Sequence, residues 1–155
     1  ENYELAVMMD CSQCPIHEDR KDLFNYYVDK HTQTLRKNGV EPTLLMTWAY
    51  KDKPDMINGL SSAYIAAGNR NKIMVFPVGL AFQLAEQEIS EIDLYTQDKR
   101  HPSKAGTYLM AAVIYSSVYN ASPIGNSYDY GLDPIIQERL QIIAWKALNQ
   151  YLIRR

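Results

Sequence analysis

The chain has 155 residues, of which 46% are hydrophobic, and this is enough for one sizeable core. We therefore expect a single domain over residues 1–155, since nothing in the composition divides the chain in two. A net charge of −2 excludes the basic surface needed to bind nucleic acid or an anionic membrane, and no stretch reaches the roughly 18 consecutive apolar residues that span a bilayer.

Short apolar runs alternate with amphipathic segments along the whole chain. The predicted strands are 4–9, 43–49 and 72–76, and the predicted helices are 18–38, 54–67, 80–88, 103–119 and 135–152. Asn38-Gly39 and Gly68-Asn69 are expected to end the first two helices. Apolar strands separated by helices indicate a parallel sheet covered on both faces, which is a three-layer α/β/α fold.

Three predicted helices carry an apolar stripe that is expected to face the core. The stripes are Leu23, Tyr27, His31 and Leu35; Met56, Leu60, Tyr64 and Ala67; and Ile136, Leu140, Ile143, Ala147 and Tyr151. On this pattern His31 is a packing residue, while His17 lies in a polar turn. Neither histidine joins a metal-ligating pattern, so we predict no metal and no cofactor.

A Cys-x-x-Cys motif, Cys11-Ser12-Gln13-Cys14, follows the first predicted strand and precedes a helix. Thiol oxidoreductases use this order because a helix N-terminus lowers the pKa of the first thiol. Two cysteines are too few for a disulfide scaffold or a four-ligand zinc site, and Pro15 after the motif counts against a redox role. The plainer interpretation is two free, partly buried thiols that pack.

The most informative motif is Asp98-Lys99-Arg100-His101-Pro102-Ser103, which precedes a predicted helix. A carboxylate three residues before a histidine can accept the proton on one imidazole nitrogen and leave the other free to act as a base. Ser103 suits the N-cap of the helix that follows. The motif therefore predicts the acid and base members of a hydrolytic triad.

These residues, with Gly106, closely resemble the last sequence block of the SGNH (GDSL-type) hydrolases, a family of serine esterases and acetylhydrolases. Segments 3–13, 44–49 and 77–83 resemble, in family order, earlier segments of an uncharacterised bacterial SGNH-like branch. The resemblance covers the later part of the family domain. It implies a flavodoxin-like sheet that lacks its first strands, and the chain, which begins at Glu1, is interpreted as a truncated or processed piece.

The family's nucleophile lies in a Gly-Asp-Ser or Gly-Asn-Ser motif after the first strand, and no such motif precedes Asp98. We expect the serine to come from outside the chain, with Ser12 as a weaker internal candidate. At the block that donates to the oxyanion, Met9 or Asp10 replaces the usual residue. This leaves Gln13, Trp48 and Gly79 as candidate oxyanion or substrate contacts.

The resemblance implies a serine ester hydrolase in which His101 is the base and Asp98 orients it. Its substrate would be a short acyl ester or an acetyl ester of a carbohydrate. A non-catalytic, carbohydrate-binding or structural remnant of the fold is the alternative, with Trp48-Tyr50 as the best-placed sugar contact. The open sheet edge predicts a homo-oligomer or a missing segment. The compartment stays open, and export to the periplasm or exterior of a bacterium is compatible with the sequence.

Overall fold

The computed structural model describes residues 3–154, with side chains through residue 153. The strands are β1 (Leu5–Met8), β2 (Glu41–Leu45) and β3 (Met74–Phe76). The helices are α1 (Lys21–Lys37), α2 (Met56–Asn71), α3 (Val78–Glu88), α4 (Lys104–Tyr119) and α5 (Pro134–Arg154), and a single 3-10 turn, Cys14–Ile16, precedes α1. The predicted α/β fold class is confirmed.

The three strands form one parallel sheet in the order β1-β2-β3. Leu5 is opposite Glu41, and Thr43 is opposite Met74. Because all three strands run in the same direction, their carboxyl ends meet at one edge of the sheet, and the loops that follow them are neighbours there. This is the strand arrangement of a flavodoxin-like sheet without its first strands.

Side chains of the central strand, β2, are buried on both faces of the sheet. Leu44 belongs to a core shared with α1, α2 and the end of α5, whereas the next residue, Leu45, belongs to a core shared with α3, α4 and the earlier part of α5. Val75 and Phe76 of β3 divide between the same two cores. Alternate residues of a strand point to opposite faces, so this division makes three layers.

The predicted buried stripe of α1 is wrong by one residue. Phe24, Val28 and Thr32 are buried, whereas Leu23, Tyr27 and His31 are exposed. These exposed side chains, together with Met8 and Met9 at the end of β1, line an open groove of about 360 Å³. The helix is apolar on two adjacent stripes, and the pattern alone does not say which one meets the sheet.

The predicted stripes of α2 and α5 are confirmed. Their buried members are Leu60, Tyr64, Ala67, Leu140, Ile143, Ala147 and Tyr151. However, α2 does not end at Gly68, because this glycine packs inside the helix, where a Cβ would lie 2.4 Å from Val75 Cγ2. The helix ends instead at Lys72, which has the left-handed φ of 53°. Within residues 3–154, none of the helices combines the length and apolarity needed to cross a bilayer.

Candidate active site

The acid–base motif forms a tight loop in the connection between α3 and α4. The Thr96 N–H donates to the His101 carbonyl over 2.9 Å, and the Lys99 N–H donates back to the Thr96 carbonyl over 2.9 Å. Lys99 closes the turn with a left-handed φ of 63°. Tyr95 and Pro102, on either side, form an antiparallel bridge. The chain therefore enters and leaves this loop at one point, and the loop has its own hydrogen bonds.

Asp98 and His101 are in direct contact. Oδ2 of the carboxylate lies 2.5 Å from Nδ1 of the imidazole. Because a carboxylate can only accept here, Nδ1 carries the proton, and in the neutral imidazole Nε2 then holds the free lone pair. The His101 side chain is 78% exposed. No hydrogen bond from residues 3–154 occupies Nε2, which makes it accessible to a nucleophile.

The other oxygen of Asp98 is fixed by three donors. Oδ1 accepts from the backbone N–H groups of Arg100 and His101, at 2.8 and 3.0 Å, and from the Thr96 hydroxyl at 2.8 Å. The His101 imidazole, followed by these donors, holds the pKa of the Asp98 carboxyl well below its usual range. Asp98 is therefore a carboxylate over the ordinary pH range, and it is oriented before any substrate arrives.

Ser103 fastens the loop to α4 as the sequence predicts. Its hydroxyl accepts from the Gly106 N–H at the first turn of the helix and donates to the Asp93 carbonyl over 2.7 Å. Gly106 allows the helix to approach so closely, since a Cβ there would lie 2.3 Å from the Leu94 carbonyl oxygen. The first turn of α4 thus sits directly against the segment that enters the loop.

Trp48, which lies after β2, contacts the loop directly. Its Nε1–H donates to the Arg100 carbonyl over 2.8 Å, and its ring stacks on Phe82 with 5.0 Å between centroids. The neighbouring Lys51 N–H donates to the Lys99 carbonyl, and the Arg100 guanidinium lies 5.1 Å from the centre of the Tyr50 ring. The segment after β2 therefore positions the acid–base pair, a role that the sequence did not assign to Trp48.

The remaining candidates lie at the same edge of the sheet but do not contact the imidazole. Ser12 is half-buried in the turn after β1, and its carbonyl accepts from the Thr47 hydroxyl at 3.3 Å. Gln13 precedes the 3-10 turn with an exposed side chain. The Gly79 N–H already donates to the Met46 carbonyl over 3.2 Å, so it is not a free oxyanion donor. A hydrogen bond joining Ser12 to His101 is absent from the described structure.

The two cysteines form a disulfide, Cys11–Cys14, rather than the free thiols of the plainer interpretation. Cys11 is exposed and Cys14 is buried. Asp10 is close by, and its carboxylate with the two sulfurs places three ligand-type atoms within 4.8 Å of one another. Both thiols are consumed by the disulfide, so they cannot bind a metal in this state.

One contact in the candidate site, that of Thr96 with Asp98, was not predicted from the sequence although it is local. Thr96 lies two residues before Asp98, and a hydroxyl at that spacing readily bonds to the carboxylate across a turn. The support from Trp48 and Lys51, by contrast, joins residues about fifty positions apart and depends on tertiary packing. It leaves no pattern in the sequence.

The chain is similar in structure to two solved proteins. A DUF4886 family protein from Bacteroides uniformis ATCC 8492 superposes with a TM-score of 0.82 at 20% identity, over 96% of this chain. A candidate SGNH hydrolase from Slackia heliotrinireducens superposes with a TM-score of 0.67 at 22% identity, over 76% of this chain and 67% of its own. This chain spans 63% of the Bacteroides protein.

No family model and no curated protein matches the chain. At these identities the two structures establish the fold alone. Together with the strand order they show that the chain has an α/β fold similar to that of a candidate SGNH hydrolase.

Proposed function

We propose that this chain is the acid–base part of an SGNH-like serine ester hydrolase that cleaves short acyl esters, including acetyl esters of carbohydrates. The observation that carries the proposal is the contact between Asp98 Oδ2 and His101 Nδ1, with Nε2 exposed at the carboxyl edge of the sheet. The similarity of the fold to that of the candidate SGNH hydrolase from Slackia heliotrinireducens supports it.

In the proposed reaction a serine hydroxyl from outside residues 1–155 loses its proton to His101 Nε2 as its oxygen attacks the ester carbonyl. The imidazolium that forms is stabilised by Asp98 and then returns the proton to the departing alcohol. Water, deprotonated by the same nitrogen, next attacks the acyl-serine; its C–O bond breaks, the acid leaves, and the imidazolium returns the proton to the serine oxygen. The role of Asp98 is to hold the tautomer and balance the charge, and it does not take up a proton itself.

The proposal requires a longer gene product that carries the serine, so the test compares such a product with residues 1–155, using p-nitrophenyl acetate and a fluorophosphonate probe. We expect hydrolysis and labelling from the longer product and little of either from residues 1–155 alone. His101→Ala should lower kcat/KM of the active form by several powers of ten, as is typical of triad members.

His31→Ala is the matched control, because this histidine is also exposed but lies on α1, outside the loop. It should leave kcat/KM unchanged. An active His101→Ala variant would refute the proposed mechanism. Strong labelling of Ser12 would show instead that the nucleophile is internal.

A longer gene product without esterase activity would favour the alternative, a non-catalytic carbohydrate-binding or structural protein with this fold. The disulfide is compatible with the thiol oxidoreductase hypothesis. The hypothesis also needs a helix N-terminus at the first cysteine, but Cys14 begins only a three-residue 3-10 turn and α1 begins at Lys21. Thiol titration of the reduced chain tests it: a Cys11 pKa near the ordinary value of about 8.5 would end it.

A further inference from the structure

A second cleft adjoins the acid–base loop on the side of α2 and α3. It encloses about 300 Å³, at the small end of ordinary ligand sites of roughly 300–1,000 Å³. The segment after β2, the start of α2 and the exposed flank of α3 form its walls. Ile57, Phe82 and Tyr95 contribute its apolar surface.

The cleft is fixed to the acid–base loop by three contacts. Lys51 and Tyr50 line the cleft. The Lys51 N–H donates to the Lys99 carbonyl, and the Tyr50 ring lies against the Arg100 guanidinium. Tyr95, at the entrance of the loop, donates its hydroxyl to the Ala49 carbonyl over 2.9 Å. A molecule in the cleft would therefore lie beside the segment that presents His101.

Three polar side chains of the cleft have no hydrogen-bond partner among the described residues. Asn58, Gln83 and Glu86 line the cleft, and none of these three side chains makes a hydrogen bond among residues 3–154. Gln83 and Glu86 are nevertheless half-buried. Half-buried amides and carboxylates are normally satisfied, so water or a ligand must supply their hydrogen bonds.

The charge of the cleft selects among ligands. The one ammonium, that of Lys51, is paired with Asp93 at 2.8 Å, which leaves the Glu86 carboxylate uncompensated by a hydrogen-bonded cation. Burial raises the pKa of the Glu86 carboxyl, and the Lys51 ammonium opposes the shift only in part. An anionic ligand such as a phosphate is therefore disfavoured here.

We propose that this cleft is a saccharide subsite, in which Asn58, Gln83 and Glu86 bind vicinal hydroxyls of a neutral sugar beside the acid–base loop. Amide and carboxylate groups offer donors and acceptors together, as hydroxyl pairs require, while the apolar surface meets the C–H face of the ring. The inference rests on the proposed function for its catalytic meaning: the sugar would be the alcohol part of the ester.

Sugar binding is tested separately from hydrolysis by titrating the ¹⁵N-labelled chain with xylobiose and with N-acetylglucosamine. We expect saturable shifts of the side-chain amides of Asn58 and Gln83, with a Kd in the millimolar range or below. Gln83→Ala and Glu86→Ala should each weaken the affinity by about fivefold or more. Gln33→Ala, which alters an exposed glutamine on α1, should not.

The variants are first compared with the parent chain by thermal melting, and Glu86→Gln serves as an isosteric second test if Glu86→Ala unfolds. Three results would each overturn the inference: no saturable shift with either sugar at about 50 mM, an affinity that is unchanged in the cleft variants, or saturation by inorganic phosphate instead of sugar. Hydrolysis is judged on the longer gene product that carries the serine, because residues 1–155 alone are expected to be inactive. Sugar binding with no ester hydrolysis by that longer product would leave the subsite standing and refute the hydrolase, whereas hydrolysis without sugar binding would refute the subsite alone.

Discussion

At the scale of single residues, the two carboxylate oxygens of Asp98 have different partners. Oδ1 of Asp98 accepts three donors from its own loop, and Oδ2 is left for the imidazole. The spacing of Asp98 and His101 could be recognised in the sequence because the contact is local. The donors on Oδ1 are equally local, and Thr96 could have been identified from its position two residues earlier.

Thr96→Val should impair the pair without destroying it. The variant keeps the shape of the side chain and removes one donor to Asp98, while both backbone donors stay. We expect kcat of the active form to fall about three- to tenfold with KM unchanged, and Thr96→Ser to restore it. Equal losses in both variants would show that Thr96 acts through packing alone.

Asp98 also predicts how the stability of the fold depends on pH. Its pKa is lower in the folded state than in the unfolded chain, so the ionised group stabilises the fold above the unfolded value of about 3.9, and this stabilisation is lost as the pH falls toward the depressed folded value. The difference in unfolding free energy between the parent chain and Asp98→Asn should be present at about pH 5 and should shrink below about pH 4. Urea denaturation at each pH measures it. A difference that grows in acid would contradict the assigned contacts.

At the scale of the elements, the site depends on how closely α4 approaches the segment before the loop. Ser103 caps the helix, and Gly106 faces the Leu94 carbonyl without room for a Cβ. The sequence predicted the cap because it depends on neighbours in the chain. It could not predict the close approach at Gly106, since Leu94 is brought there by the fold.

Gly106→Ala should therefore destabilise the protein, although alanine normally favours a helix. The added Cβ would lie 2.3 Å from a backbone oxygen, so the backbone must move, at a cost of about 1–3 kcal/mol. Chemical denaturation measures this cost. Ala111→Ser, at an exposed position of the same helix, should change stability by no more than about 0.5 kcal/mol. A variant as stable as the parent chain would show that α4 can shift freely.

At the scale of the whole molecule, β1 is an edge strand with exposed apolar side chains. β1 pairs with β2 alone among the described residues, and Leu5, Val7 and Met9 are exposed along it. Beside it lie the exposed side chains of α1, Leu23 and Tyr27. A free strand edge with apolar neighbours favours pairing with another chain.

We therefore expect the isolated chain to associate through β1, and a lysine on that strand should prevent this. Val7→Lys should shift the species seen by light scattering toward the monomer. Val118→Lys on α4 is the control, since the two valines are 46% and 38% exposed. A monodisperse monomer of the parent chain would refute the expectation.

The sequence was sufficient for the layer order and for the elements, because alternating strands and helices allow few other folds. It misplaced the buried face of α1, where Leu23 and Phe24 are both apolar and only the sheet decides between them. It also missed the Lys51 and Trp48 contacts to the loop. Local chemistry could thus be predicted, whereas contacts between distant segments required the structure.

The loop from Thr96 to His101 has a consequence of its own. Every donor that orients Asp98 comes from within these six positions, and the two ends meet where Tyr95 bridges Pro102. The pair is thus preassembled, whichever polypeptide supplies the nucleophile. The distance between the carboxylate and the imidazole is therefore set inside the loop, whereas Trp48 and Lys51 set only where along the sheet edge the pair is presented.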